Sequence, residues 1–190
     1  MGLIIRRMTH PSIITLGYSE AAMFLRRVEA GEIGAVISIH GRRENAVEVP
    51  AGVPVLGLEF DDAEAVDWSD PIAAHRAWVL AKWAAEIGRP TTPPRIDNAR
   101  AIIEFARSHS QITGAMLCQC QAGMSRSTAA ALLCLAAWTQ AGEERECVAE
   151  LIGVRPSAVP LMTLVRFGDE VLGREGKLVK AVVEARAGTG

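Results

Sequence analysis

Apolar residues in this chain fall into two kinds of run, and the two kinds alternate. Stretches at 12–16, 35–39, 54–60 and 115–118 are short, almost continuously apolar, and bounded by polar or glycine-containing turns. Runs of that length read as strands buried on both faces of a sheet. Between and after them lie longer segments with apolar positions at helical spacing, at 19–30, 71–87, 96–109, 127–140, 143–152 and 160–173. Ser19 is placed to cap the first of these. Ser69 or Asp70 caps the second, with Pro71 in its first turn. Arg89 to Pro94 is a proline-rich break, and the small, polar tail from Ala187 reads as frayed. Strands alternating with helices predict an α/β fold with a central, mostly parallel sheet flanked by helices. No repeat or linker interrupts the pattern, so one domain is expected over residues 1–190, with its core at roughly 12–173.

Composition narrows the picture. A chain of 190 residues that is 49% hydrophobic is long enough for one substantial core. A net charge of −2 argues against a broad nucleic-acid or membrane-surface role, and no apolar stretch is long enough to span a bilayer. Met1 to Arg7 lack the basic-then-apolar order of a signal peptide, and Gly2 lacks the downstream hydroxyl of a myristoylation signal. The expected location is therefore cytoplasmic. The four cysteines, at 118, 120, 134 and 147, do not have zinc-site spacing, and a chain of this kind does not need disulfides. No metal or cofactor is expected. Cys134, in an apolar helix, reads as core. So does Cys118, which shares a strand face with Cys120 but would form a strained bridge with it.

The chemistry is concentrated in one run, Cys118-Gln119-Cys120-Gln121-Ala122-Gly123-Met124-Ser125-Arg126-Ser127-Thr128. An apolar strand leads in and an alanine-leucine helix leads out. Cys120 is thus expected at a strand end and Arg126 at a helix start. A helix N-terminus leaves N–H groups unpaired and carries partial positive charge. The amides from Gln121 to Arg126 can converge on an oxyanion there, with Gly123 permitting the tight turn. Arg126 offers a planar fork matching two phosphate oxygens. The same field favours the thiolate of Cys120, the attacking species, and Ser127 can hydrogen-bond that sulfur as it departs. For one cysteine, chance placement of Gly, Arg and a hydroxyl at these offsets is on the order of one in two thousand.

Cys120-x5-Arg126-Ser127, with Ala122-Gly123 inside and Ser125 before the arginine, resembles the signature of the cysteine-dependent protein tyrosine phosphatases. The Ala-Gly-x-Ser-Arg-Ser form is most similar to the dual-specificity branch and its small bacterial relatives. Arg155-Pro156-Ser157-Ala158-Val159-Pro160 is similar to that family's arginine–proline stretch before a late helix, and the order of elements matches from roughly 12 to 173. The resemblance implies a tyrosine-phosphatase-like fold and metal-independent hydrolysis of phosphomonoesters through a phosphocysteine. It makes Cys120, Arg126, Ser127 and an aspartate catalytic, with Gln121, Ala122, Gly123, Met124 and Ser125 binding substrate. Gln119 stands where the family has a loop-supporting histidine, and the 71–94 region is an insertion.

Such an enzyme needs an acid for the leaving oxygen, at the carboxyl end of a strand next to the cysteine loop. Leu58-Glu59-Phe60-Asp61-Asp62 fits, and Asp62 is the first choice with Asp61 the alternative. Asp67, recruitable by an inserted lid, stands behind them; Asp70 and Asp97 read as caps or solvated turns. His40 reads as a strand-end residue and Arg42 and Arg43 as a basic loop. Trp78, Trp83 and Trp138 read as core, while Trp68 lies close enough to the acid loop to line a pocket. Expected partners are a phosphorylated protein or small phosphomonoester, with phosphate, sulfate or vanadate inhibiting at the loop. The family's lipid phosphatases often carry lysines in this loop, and their absence here favours a phosphoprotein. Two other functions fit the same residues: a phosphate-binding pseudophosphatase, and a sulfur-transfer or arsenate-reducing enzyme with Cys118 as resolving cysteine.

Overall fold

The computed structural model describes residues 10–64, 75, 79, 82, 86, 88 and 91–187. Its elements are β1 Ile13–Gly17, α1 Tyr18–Leu25, β2 Ile33–His40, β3 Val55–Glu59, α2 Ile96–Ser108, β4 Ala115–Cys120, α3 Arg126–Trp138, α4 Glu144–Val154, α5 Met162–Leu172 and α6 Lys177–Ala187. The strands form one sheet in the order β1-β4-β2-β3, and every pairing is parallel. This is the α/β arrangement that the alternating pattern predicts. No helix among the described residues is long and apolar enough to cross a membrane.

Burial explains the sequence of β4. All six of its residues are buried, because β1 and β2 flank it and helices cover it. One face of the sheet carries the main core, built with α2 to α6. The other face is covered by α1 and by Val47, Val49 and Val53 of the β2–β3 connection. α3 is buried from Arg126 to Ala136 and apolar all round from Ala129 onward to Ala136, as a helix enclosed between a sheet and other helices must be. α5 lies very close against it: a Cβ on Gly168 would sit 2.5 Å from Leu133 Cγ.

Four differences from the sequence reading have a visible physical cause. Ser19 is not a cap. β1 runs directly into α1, so Gly17 takes the cap position and the Glu20 carboxylate accepts its N–H at 2.8 Å. α1 stops at Leu25, where the Phe24 carbonyl accepts from both Arg27 and Val28 and ends the helical ladder. β4 continues through Gln119 and Cys120, because Leu16 and Gly17 of β1 still pair with them. α6 has no counterpart in the reading, which ended the core near 173. Its first-turn N–H groups are capped from the preceding helix: Asp169 accepts from Gly176 at 2.6 Å, Leu178 at 2.8 Å and Val179 at 3.3 Å. A cap borrowed from another helix leaves no signal beside the start. Leu178, Ala181 and Val182 of α6 are buried, and Ala187, expected to open a frayed tail, is its last residue. Most of the expected 71–87 helix lies outside the described residues; His75, Val79, Lys82 and Glu86 are helical.

Candidate active site

In a parallel sheet all carboxyl ends lie on one edge, and each strand here delivers something to that edge. β4 delivers Cys120, the loop 121–125 and the start of α3 at Arg126. The loop rests on the β1–α1 turn. Gly123 has φ 71°, and a Cβ there would lie 2.4 Å from Gly17 N and 2.6 Å from the Leu16 carbonyl carbon. Only glycine combines that backbone with that approach. Gly17 in turn presses on Ala122, and the Tyr18 N–H donates to the Gln121 carbonyl at 3.1 Å.

The loop's carbonyls are held on its outer side. Val159 N–H donates to Met124 O at 2.8 Å and Leu161 N–H to Ser125 O at 3.4 Å. Thr128 Oγ1 donates to both carbonyls, at 2.5 and 2.9 Å. Carbonyl and N–H of a trans peptide plane point in opposite directions. Fixing the carbonyls of Gln121, Met124 and Ser125 therefore turns the N–H groups of Ala122, Ser125 and Arg126 the other way. Cys120 Sγ accepts from Gly123 N–H at 3.3 Å and lies 3.2 Å from Ser127 Oγ, which is fully buried.

Arg126 is 4% exposed. Its Nη1 and Nη2 donate to the two Glu44 oxygens at 2.7 and 3.0 Å, and Nη1 also donates to the Phe60 carbonyl at 3.2 Å. Glu44 comes from the β2–β3 connection and is fixed by the Gly41 N–H at 2.6 Å. Burial pushes the Glu44 carboxyl up, but the Arg126 and Gly41 hydrogen bonds and the guanidinium charge outweigh it and hold the carboxyl below its ordinary range. Burial likewise works against the Arg126 charge, and Glu44 more than offsets it, so the guanidinium is held further up. Arg126 Nε is buried with no hydrogen-bond partner among the described residues.

The chain beyond β3 separates the two candidate acids. Asp61 is a strap: its N–H donates to Thr92 O at 2.7 Å, its carboxylate accepts from Thr92 N–H at 2.6 Å, and it packs against Gly41. Asp62 is at the apex of a three-residue turn closed by Ala63 N–H to Asp61 O at 2.9 Å. Its carboxylate accepts from Ser125 Oγ of the cysteine loop at 2.6 Å. Thus Cys120, Gly123, Ser125, Arg126, Ser127 and Asp62 come together, with Gln121, Ala122 and Met124 completing the loop. Met124 is half-exposed on its rim.

Other candidates lie elsewhere. Asp67, Trp68, Asp70, Trp78 and Trp83 are outside the described residues. Asp97 is exposed and pairs with Arg100. Trp138 stacks on His10 and donates to Ala106 O. Arg42 is exposed, Arg43 donates to Gly88 O, and the His40 ring lies against Gly41 O. Gln119 does not reach the loop; its amide donates to Ser38 of β2 at 2.5 Å. Cys118 faces Cys134 in the core, and hydrogen bonding to Cys134, burial and the neighbouring thiols hold its thiol well above the ordinary range.

Glu44, which braces Arg126, was not anticipated. A local signal exists for Glu44. Gly17-x-x-Glu20 and Gly41-x-x-Glu44 follow two strand ends, and in both the glutamate folds back on the glycine N–H. Glu20 then pairs with Arg155 as Glu44 pairs with Arg126.

No protein-family model and no curated protein matches this sequence. Solved structures do. The human tyrosine phosphatase-like serine/threonine/tyrosine-interacting protein is similar with TM-score 0.55 at 18% identity, over 86% of this chain and 92% of its own. Tk-PTP in its active form gives 0.51 at 16% identity, over 88% and 96%. PTPMT1 in complex with PI(5)P gives 0.50 at 16%, over 89% and 97%. The chain has the fold of the tyrosine phosphatases.

Proposed function

We propose that this chain is a phosphomonoester hydrolase that works through a phosphocysteine and needs no metal, acting on phosphotyrosine or, with dual specificity, on phosphoserine and phosphothreonine as well. One observation carries the reading: a buried sulfur held by Gly123 N–H and Ser127 at the base of the loop, with the Asp62 carboxyl tied to the same loop by Ser125.

Cys120 thiolate attacks phosphorus, an S–P bond forms, and the ester O–P bond breaks. Asp62 gives its proton to the departing oxygen. Charge on the phosphoryl oxygens is met by the loop amides and Arg126. A guanidinium has five N–H donors. Glu44 and the Phe60 carbonyl take three, so Nε–H and one Nη2–H are left for the oxyanion. Water then attacks phosphorus while Asp62 takes its proton, and the sulfur leaves as thiolate, accepting a hydrogen bond from Ser127. A phosphoprotein substrate is favoured because Gln121, Met124 and Ser125 place no cation in the loop.

A resolving-cysteine mechanism fits less well, since Cys118 is fully buried against Cys134. Phosphate binding without turnover has Gln119 in its favour, because its Nε2 donates to Ser38 of β2 rather than to the loop. The test is hydrolysis of para-nitrophenyl phosphate in EDTA by wild type, Cys120→Ser and Asp62→Asn. Metal-independent turnover that disappears in Cys120→Ser supports the reading. Vanadate binding without turnover in the wild type would replace it with the binding module.

A further inference from the structure

We propose that Glu64 is the positioning residue of the acid: it sets the height of Asp62 over the cysteine loop by locking the acid turn to the start of α5. The inference rests on Asp62 being the general acid. Asp62 itself makes one side-chain contact to the loop, and a single hydroxyl does not fix a carboxyl in three dimensions. The turn that carries it is pinned on both sides. Before it, Asp61 is bonded to Thr92 in both directions. After it, Glu64 Oε1 accepts from Met162 N–H at 3.0 Å. Glu64 Oε2 accepts from Thr163 N–H and Thr163 Oγ1, both at 2.7 Å.

Those acceptors complete a frame. Residues 159–163 form one continuous strap: Val159 and Leu161 hold the Met124 and Ser125 carbonyls of the loop, and Met162 and Thr163 hold Glu64. The nucleophile loop and the acid turn are therefore referenced to the same five residues. Three bonds to one carboxylate, two of them from a helix N-terminus, make a firm joint. A proton donor two residues from that joint keeps its place without help from substrate, and misplacement by about 1 Å is enough to lower the rate by orders of magnitude.

The reaction itself separates this role from general stability. An aryl phosphate with a poor leaving group, phenyl phosphate, needs the proton; para-nitrophenyl phosphate, with a good one, needs it far less. Glu64→Ala is expected to lower kcat/KM on phenyl phosphate roughly tenfold while changing kcat/KM on para-nitrophenyl phosphate and vanadate inhibition little, because kcat/KM ends at leaving-group departure and excludes the later hydrolysis of the phosphocysteine that both substrates share. Glu64→Gln, whose amide oxygen still accepts from α5, should recover part of the loss. Thr163→Val, which keeps the side-chain shape and removes the hydroxyl, should show the same split at smaller size, and it decides the matter if Glu64→Ala does not fold. Equal losses in kcat/KM on both substrates, or none on either, overturn the proposal. Asp62→Asn is run alongside: a leaving-group split there with none in the Glu64 variants defeats the positioning role alone. No split in Asp62→Asn defeats the acid assignment, and the proposal with it.

Discussion

Glutamine at position 44 changes one oxygen to nitrogen and tests the pair that holds Arg126. The carboxylate now accepts from Arg126 Nη1, Arg126 Nη2 and Gly41 N–H. An amide keeps one acceptor and turns donors toward a guanidinium that has only donors. Arg126 is 4% exposed, so its charge would lose its counter-ion in a nearly dry site. Removing one partner of a buried pair costs about 3–5 kcal/mol. Glu44 is 27% exposed, so water reaches its outer side and the residual acceptor helps, which brings the expected loss to about 2–3 kcal/mol. For a chain of this size that is roughly 4–12 °C in Tm. Arg126 without its brace also addresses the oxyanion less well, so kcat/KM should fall about 10–100-fold and vanadate inhibition should weaken in parallel. Thermal unfolding by circular dichroism and steady-state kinetics on para-nitrophenyl phosphate read both effects. A Tm within about 1 °C of wild type, with unchanged vanadate inhibition, would refute the claim that Glu44 holds Arg126.

Gly123→Ala puts a methyl 2.4 Å from Gly17 N at φ 71°; vanadate inhibition should vanish while helix content persists, and a fully competent variant would show that the loop is not seated on β1. Gly168→Ala drives a methyl into Leu133 between α5 and α3, with an expected loss of about 1–3 kcal/mol by thermal unfolding; an unchanged Tm would mean the helices are not in that contact. Glu144→Ala strips the counter-ion from Arg174 (6% exposed) far from the loop, so roughly 3–5 kcal/mol of stability should go while kcat on para-nitrophenyl phosphate holds; a matching loss of kcat would contradict that separation. In acid, burial pushes the Glu44 and Glu144 carboxyls up but their hydrogen bonds and arginine partners hold both below their ordinary range. Their contribution is thus complete above about pH 4.3 and lost as pH falls through the depressed folded values; Tm measured against pH should drop there, and less steeply in Glu44→Gln.

The legible parts of this chain are those whose cause is local. The strand, loop and helix around Cys120 are specified by neighbours in sequence: an apolar run, a glycine, and an arginine at a helix start. The strand ending at Asp61-Asp62 is of the same kind. The sequence reading puts Asp62 ahead of Asp61, but what separates them lies in partners far along the chain: Thr92 takes Asp61, and Ser125 reaches Asp62. The same holds for α6, whose cap is Asp169, and for Glu64, whose partners lie roughly a hundred positions away at Met162 and Thr163. Glu44 is intermediate. Its Gly-x-x-Glu turn is visible, while the arginine it serves is not. Gln119 stands where the family has a loop-supporting histidine, but its register beside Ser38 of β2 directs its Nε2 to that hydroxyl.

The site is a closed ring of contacts more than a set of residues on one loop. Starting at Cys120, the chain passes through the loop into α3, whose first residue is Arg126. α3 carries α5 through the Leu133–Gly168 approach, and α5 receives Glu64 at its first turn. Glu64 lies two residues from Asp62, and Asp62 returns to the loop through Ser125. A second path runs from Arg126 through Glu44 and Gly41 to the packed Asp61, beside Asp62 again. Two paths between the same end points fix a distance that either alone would leave adjustable. The parallel sheet makes this possible, because it brings the carboxyl ends of β2, β3 and β4 to one edge and leaves α3 free to start there with first-turn amides that have no partner within the helix. The separation of Cys120 and Asp62 is consequently a property of the folded core, and substitutions in the helix packing should reach it along the same route as substitutions in the loop.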